Sequence, residues 1–187
     1  MDKTFLESYF KDLSELIIPD DKTVEKLILI KEKIVDVHRK GQKTLIFGNG
    51  GSAAMASHFS VDLTKNARVR CVNYNESDLI TCFANDFGFD HWVAKAVEFF
   101  GDEGDLLIVI SSSGRSMNMI NAVEAAKKCQ FSDVVTLSGH SKDNPLNGIG
   151  DINLWVDSKA YNFVENIHQI WLLSLVDLII GDREYSA

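Results

Sequence analysis

The sequence predicts an α/β fold: one domain with a five-stranded parallel sheet, helices on both faces, and two further helices ahead of the first strand. Three observations carry that expectation. Short, continuous apolar runs, such as Leu45-Ile46-Phe47 and residues 106–110, have the composition of parallel strands buried on both faces. These runs alternate with segments whose apolar residues recur at helical spacing, and strand–helix alternation makes a parallel sheet. Two of the helical segments precede the first apolar run.

Residues 4–17 carry Phe5, Leu6, Tyr9, Phe10, Leu13, Leu16 and Ile17 at helical spacing, and Pro19 with two aspartates ends that helix. Residues 23–39 form a second amphipathic helix, with Val24, Leu27, Ile30, Ile34, Val35 and Val37 in its stripe. Two such helices exceed what one sheet face needs. The first is therefore expected either to present Phe5, Tyr9 and Leu13 to another subunit or to fold back on its own domain. On the first of these readings residues 1–40 are an arm for oligomer packing and residues 43–181 the core. Residues 44–47 are the first strand and residues 69–72 the second. Ser77 is expected to cap a helix to about residue 83. Residues 85–89 make a turn, 90–100 a helix and 101–104 another turn. Strands at 106–110, 134–137 and 152–156 complete the sheet, with helices at 117–128 and 161–180. There is no internal repeat, low-complexity tract or linker.

At 187 residues the chain is long enough for one domain with a substantial core. Its 45% hydrophobic and 25% charged residues are those of a globular protein in water. The N-terminus lacks a basic segment followed by an apolar core, so no secretory signal is expected. No apolar run reaches the length of a membrane span. The three cysteines are scattered and odd in number, which suggests free thiols in a reducing cytoplasm. A net charge of −8 argues against nucleic acid as a partner, though not against a phosphate ligand, which backbone N–H groups can hold without positive side chains.

Two strand-to-helix turns carry the chemistry. In the first, Gly48-Asn49-Gly50-Gly51-Ser52, three glycines clear side chains from a place where a ligand can approach the backbone. The helix that follows directs free N–H groups into the same space, and these favour an anion. On that helix His58 and Asp62 are four apart and share a face, roughly 9 and 15 Å along from Ser52. The second turn, Ser111-Ser112-Ser113-Gly114-Arg115-Ser116, offers hydroxyls from Ser111, Ser113 and Ser116. Serines at a helix start are ordinary caps, but four in six residues exceed what a cap requires and suit a phosphate monoester. In an open parallel sheet both turns lie at the ligand-binding edge. On the last helix Glu165 and His168 are three apart and can face His58 and Asp62. Other phosphate and nucleophile signatures do not fit. The first turn matches G-x-G-x-x-A, but no acid ends the second strand to hold a ribose. There is no G-K-[ST] and no G-x-S-x-G.

The segments GNGGSAAMASHFSVDL, FANDFGFDH, ISSSGRSMN and the closing VENIH resemble, over nearly the whole chain, the sugar isomerase (SIS) domain. Within it they are similar to the phosphoheptose isomerases, which convert sedoheptulose 7-phosphate to a heptose 7-phosphate for bacterial surface polysaccharide. The resemblance implies a single SIS domain, a homotetramer with active sites between subunits, and a cytoplasmic enzyme serving lipopolysaccharide or capsule synthesis. It implies substrate contacts from Asn49, Gly50, Gly51, Ser52, Asn85, Asp86, Ser111, Ser112, Ser113 and Ser116. It also implies a zinc site of His and Glu on the first-motif helix with Gln and His on the last. Here His58 is kept, Asp62 stands for the Glu, Glu165 for the Gln, and Leu173 for the second His. The cofactor expectation is therefore zinc or none, with His58, Asp62 and Glu165 as candidate ligands. The same three are the candidate catalytic residues: Asp62 or Glu165 as base, His58 to polarise the substrate oxygens. A non-catalytic relative, the initiator-associating SIS protein of bacterial replication, also lacks the last His. A sugar-phosphate-binding or regulatory module without turnover is thus the alternative.

Overall fold

The structure, a computed structural model, describes residues 1–185. Its elements are α1 (Asp2–Ile17), α2 (Asp21–Arg39), β1 (Thr44–Gly48), α3 (Gly51–Lys65), β2 (Cys71–Val72), α4 (Ser77–Phe87), α5 (Trp92–Phe100), β3 (Leu106–Ser111), α6 (Met117–Lys128), β4 (Asp133–Ser138), β5 (Ile152–Trp155) and α7 (Tyr161–Ile180). The strands form one five-stranded sheet in the order β2-β1-β3-β4-β5, every pairing parallel. The expected α/β class, strand number and pair of N-terminal helices are all present.

Side chains alternate between two cores, as strand geometry requires. Ile46, Leu106, Ile108 and Ile110 point to the face covered by α2, α3 and α7. Leu45, Phe47, Leu107 and Val109 point to the face covered by α5 and α6. α7 is the most apolar helix, and it buries Phe163, Val164, Ile167, Trp171, Leu172, Leu175 and Val176. By length and composition alone it could cross a membrane, yet here it is a core helix.

The first helix lies along its own chain on one face. Its Tyr9 ring meets Phe163 of α7 at 4.6 Å, and Leu13, Leu16 and Ile17 pack against the chain's own core. Tyr9 and Leu13 are thus half-buried against the chain's own helices. The apolar side of α7 that carries Phe163 is covered in part by α1. Phe5 and Phe10, 65% and 62% exposed, remain on the outer side of α1.

Three boundaries also shift. β2 begins at Cys71 rather than residue 69, because the edge strand pairs with β1 at only two positions. The Thr64 hydroxyl, which both accepts from Cys71 N and donates to Cys71 O, does the rest. Ser77 is not a cap: Glu76 holds that position, and no side chain caps α4. α4 runs through Phe87, so Asn85 and Asp86 lie in the helix, and the chain turns only at Gly88.

His168 is fully buried on α7, its Nε2 donating to the Ser138 carbonyl at 3.1 Å. Desolvation pushes its pKa down to about 4, against a smaller opposing pull from that carbonyl. The folded protein keeps the ring neutral, while the unfolded chain binds a proton below about pH 6.5. The stability this site contributes is therefore complete above pH 6.5 and falls as pH drops toward 4, by about 3 kcal/mol at most. Urea unfolding between pH 7 and 4.5 should show that decline, and His168→Met should flatten it. An unchanged slope in the variant would assign the acid sensitivity elsewhere.

Candidate active site

The two turns singled out in the sequence leave adjacent strands at the same level, with Gly48 of β1 in register with Ile110 of β3. The first turn is tight: a Cβ on Gly48 would sit 2.6 Å from Ser52 backbone atoms. Its geometry is held from the neighbouring helix. Asn49 and Asn118 exchange amide hydrogen bonds of 3.0 and 2.8 Å, and Asn118 is 2% exposed. In the second turn Gly114 has φ +67°, and a side chain there would collide with the buried amide of Asn144. The loop after β4 ties the same turn down, through Gly139 N to Ser112 O and Leu146 N to Gly114 O, both 3.0 Å.

Between the turns lies a cavity of about 180 Å³ lined by Asn49, Ser52, Ile110, Ser111, Ser112, Ser113, Ser116, Tyr161 and Glu165. The serines are not spent on capping. Ser116 holds the N-cap position of α6, but its side chain makes no cap bond. Its hydroxyl pairs instead with that of Ser111 at 2.9 Å. Hydroxyls and the N-terminal N–H groups of α6 thus share one concave, polar space, the chemistry of a phosphate site.

Glu165 closes this cavity from α7. Its Oε1 is 3.5 Å from the Ser112 hydroxyl, and a Cβ on Gly51 would lie 2.5 Å from its Oε2. Gly51 therefore clears the place that the carboxylate occupies above the first turn of α3, where the helix end favours negative charge. Among the described residues Glu165 has no ion-pair partner. It also lines a second cavity of about 180 Å³, with Met55, Asn166 and Gln169. The cleft thus runs from the serines, past Glu165, to Gln169.

At that far end His58 Nε2 is 3.2 Å from Asp62 Oδ2, and Gln169 Nε2 is 3.0 Å from His58 Nδ1. The pairing of His58 with Asp62 on one face of α3 is as the spacing required. Two other expectations are corrected. His168 does not face them, because its ring is buried toward β4. Glu165 does not join them, because its carboxylate turns to Gly51 and Ser112. Among the described residues no three His, Cys, Asp or Glu side chains cluster to hold a metal. The candidate set His58, Asp62 and Glu165 is therefore not assembled at one point, and the last-helix side chain in contact with His58 is Gln169.

The remaining expected contacts divide. Gly50 lines a separate cavity of about 230 Å³ with Gly48, Asn49, Ala53, Asn75, Ile80, Phe89 and Trp92. Asn85 and Asp86 lie on the exposed side of α4, hydrogen-bonded to each other at 2.9 Å and away from the serine cavity. A helix that continues through Phe87 carries them outward. Sequence reasoning missed Asn118, Tyr161 and Gln169. Asn118 had a signal, an amide inside an apolar helix stripe. Gln169 had one too, four residues after Glu165 and so on its face.

Comparison with known proteins agrees with this geometry. Residues 8–139 match the family model of the SIS domain. The chain is 34% identical over 181 residues to a phosphoheptose isomerase of Fusobacterium nucleatum, covering 92% of each chain. Among solved structures, phosphoheptose isomerases from Neisseria gonorrhoeae and Francisella tularensis superpose with TM-scores of 0.85 and 0.83, at 28% and 27% identity. Each match covers 97% of this chain and 100% of the other.

The Asn49–Asn118 amide pair gives the site its first test. Asn118→Ala removes the partner that orients Asn49 and should weaken binding of inorganic phosphate by about tenfold, the worth of one hydrogen bond. Titration calorimetry would measure it. Unchanged phosphate affinity would show that the amide pair serves only packing.

Proposed function

The chain belongs to the SIS-domain family and, within it, to the phosphoheptose isomerases, and from that membership we propose how its residues act on a phosphorylated sugar. It is an isomerase. Sedoheptulose 7-phosphate is the substrate we assign, with a heptose 7-phosphate as product. The reaction moves a proton between adjacent carbons through an enediol. It needs a clamp on the phosphate, one base, and donors for the enediolate oxygens.

The serine cavity is the clamp. Ser111, Ser112, Ser113 and Ser116 offer hydroxyls, and the start of α6 offers N–H groups. Glu165 is the base, and the observation that carries this is its position at the junction of the two cavities with no cation beside it. A carbon chain extending from a phosphate among the serines passes this carboxylate. Asp62 is less suited, because His58 already engages it. The enediolate oxygens would meet Ser52 and the N–H of Asn49 that Asn118 leaves free.

The assembly we propose is a homotetramer in the cytoplasm, serving surface-polysaccharide synthesis. Apolar side chains left in water support association: Phe5 and Phe10 on α1, and Phe99 at 62% exposure on α5. Asn85 and Asp86, turned away from their own cavity, would serve the site of a neighbouring subunit.

Glu165→Gln keeps shape and removes the base. It should lower kcat on sedoheptulose 7-phosphate by about 10²- to 10⁴-fold while leaving sugar-phosphate affinity within a few-fold. Activity near that of the unsubstituted enzyme would remove Glu165 from the mechanism. Sedimentation equilibrium should give four chains per particle, and a monomer at micromolar concentration would defeat the shared-site reading.

A further inference from the structure

Asn49 walls two cavities, and the reaction as described uses only the one with the serines. The other measures about 230 Å³ and has Ile80, Phe89 and Trp92 among its walls. Two buried polar atoms on residues that line it have no hydrogen-bond partner among the described residues. They are the indole nitrogen Nε1 of Trp92 and the amide oxygen Oδ1 of Asn75. Trp92 is 1% exposed, and its ring meets Phe47 at a steep angle, with centroids 5.9 Å apart. The partners of the Asn75 amide settle its orientation. Its nitrogen donates to the Ala53 carbonyl at 3.0 Å and to the Ser57 hydroxyl at 2.9 Å. A carbonyl only accepts, so the nitrogen must face α3, and the oxygen is left as a free acceptor.

A donor and an acceptor left open on one cavity specify what fits it. Buried polar groups are almost always hydrogen-bonded, and a hydroxyl can accept from the indole and donate to the amide at once. No titratable side chain lines the cavity, so a charged ligand would meet no counter-charge. Ile80, Phe89 and the Trp92 ring offer apolar walls to the C–H faces of a carbon skeleton. A single water needs only about 10–15 Å³ of cavity, so the space exceeds what a bridging water requires. We propose that this cavity is a second binding site, for an uncharged sugar or polyol, with Trp92 and Asn75 as its hydrogen-bonding residues. Its occupant also reaches the first turn. Gly50 stands at φ +54° with nothing within 4 Å of where a side chain would sit, so the turn is unsupported on that side. A ligand packed there restrains the turn, and through Asn49 it strengthens phosphate binding in the serine cavity. The site stands independently of the isomerase reading above, whereas the coupling rests on the serines as the phosphate clamp.

Labelling the full chain with ¹⁵N-tryptophan gives three indole signals, one for each tryptophan. Trp92→Phe, or Trp155→Phe and Trp171→Phe by elimination, identifies the one from this cavity. Millimolar sorbitol, an open-chain polyol, or methyl α-mannoside, a ring, should shift the Trp92 signal and leave the other two in place. A Trp92 signal that neither probe moves would overturn the site and leave the cavity to water. Shifts confined to Trp155 or Trp171 would overturn it too. Trp92→Phe keeps an aromatic wall and removes the N–H, so calorimetry should find the better probe bound about tenfold more weakly, the worth of one hydrogen bond. Unchanged affinity would take Trp92 out of the site. Should that buried substitution fail to fold, the signal shift in the unsubstituted chain decides alone. With the probe saturating, inorganic phosphate should bind about fivefold more tightly, and equal affinity would overturn the coupling. Phosphate that does not bind at all, while the Trp92 signal still responds to the probe, would sink the serine clamp and leave this site standing.

Discussion

The pairing of β1 with β3 is the constraint on which the rest of this site depends. In the order β2-β1-β3-β4-β5, β1 and β3 are neighbours whose following helices depart to opposite faces. α3 joins α2 and α7, and α6 joins α5. That divergence opens a crevice at the carboxyl ends of the two strands. Both helix N-termini point into it, so two sets of unpaired N–H groups converge on one volume. The register sets the turns at equal height, and the Asn49–Asn118 amide pair locks one to the other. A half-satisfied amide buried there would cost about 1–3 kcal/mol, so the lock is reciprocal for a physical reason.

α7 supplies what the sheet edge lacks. Its apolar faces join α1 to the α2–α3 layer, and burial of that surface sets its position. One polar edge is left facing α3, and it carries Glu165 and Gln169 one turn apart. Gly51 lets the first of these approach the α3 backbone; any side chain there would push the carboxylate away. Packing decides where the carboxylate stands, and the helix end beneath it makes that place electrostatically acceptable.

Much of this was legible in the sequence. The buried strands were visible as apolar runs, and the two turns as dense glycine and serine. The His58–Asp62 pair was visible as a four-residue spacing. These are local properties. Helical periodicity and turn chemistry act over a few residues and leave their mark in composition. The errors were also informative. Ser77 looked like a cap, but neighbouring backbone geometry put Glu76 there. Asn85 and Asp86 looked like turn residues, yet the apolar side chains of Phe83 and Phe87 continue the helix through them. Whether α1 folds back on its own chain was left open, because nothing local says which face of α7 it meets.

The sequence by itself determined the α/β class, the two ligand-facing turns and the helix face that pairs His58 with Asp62. Only the tertiary structure decided which partners those residues meet. The Asn49–Asn118 contact spans 69 residues and the His58–Gln169 contact 111. At such separations the choice of partner is set by how helices pack across the sheet, and no spacing rule reaches that far. Glu165 faces the serines rather than His58 because side-chain direction depends on the neighbouring helix as well as on its own. A glycine on α3 made that direction the available one.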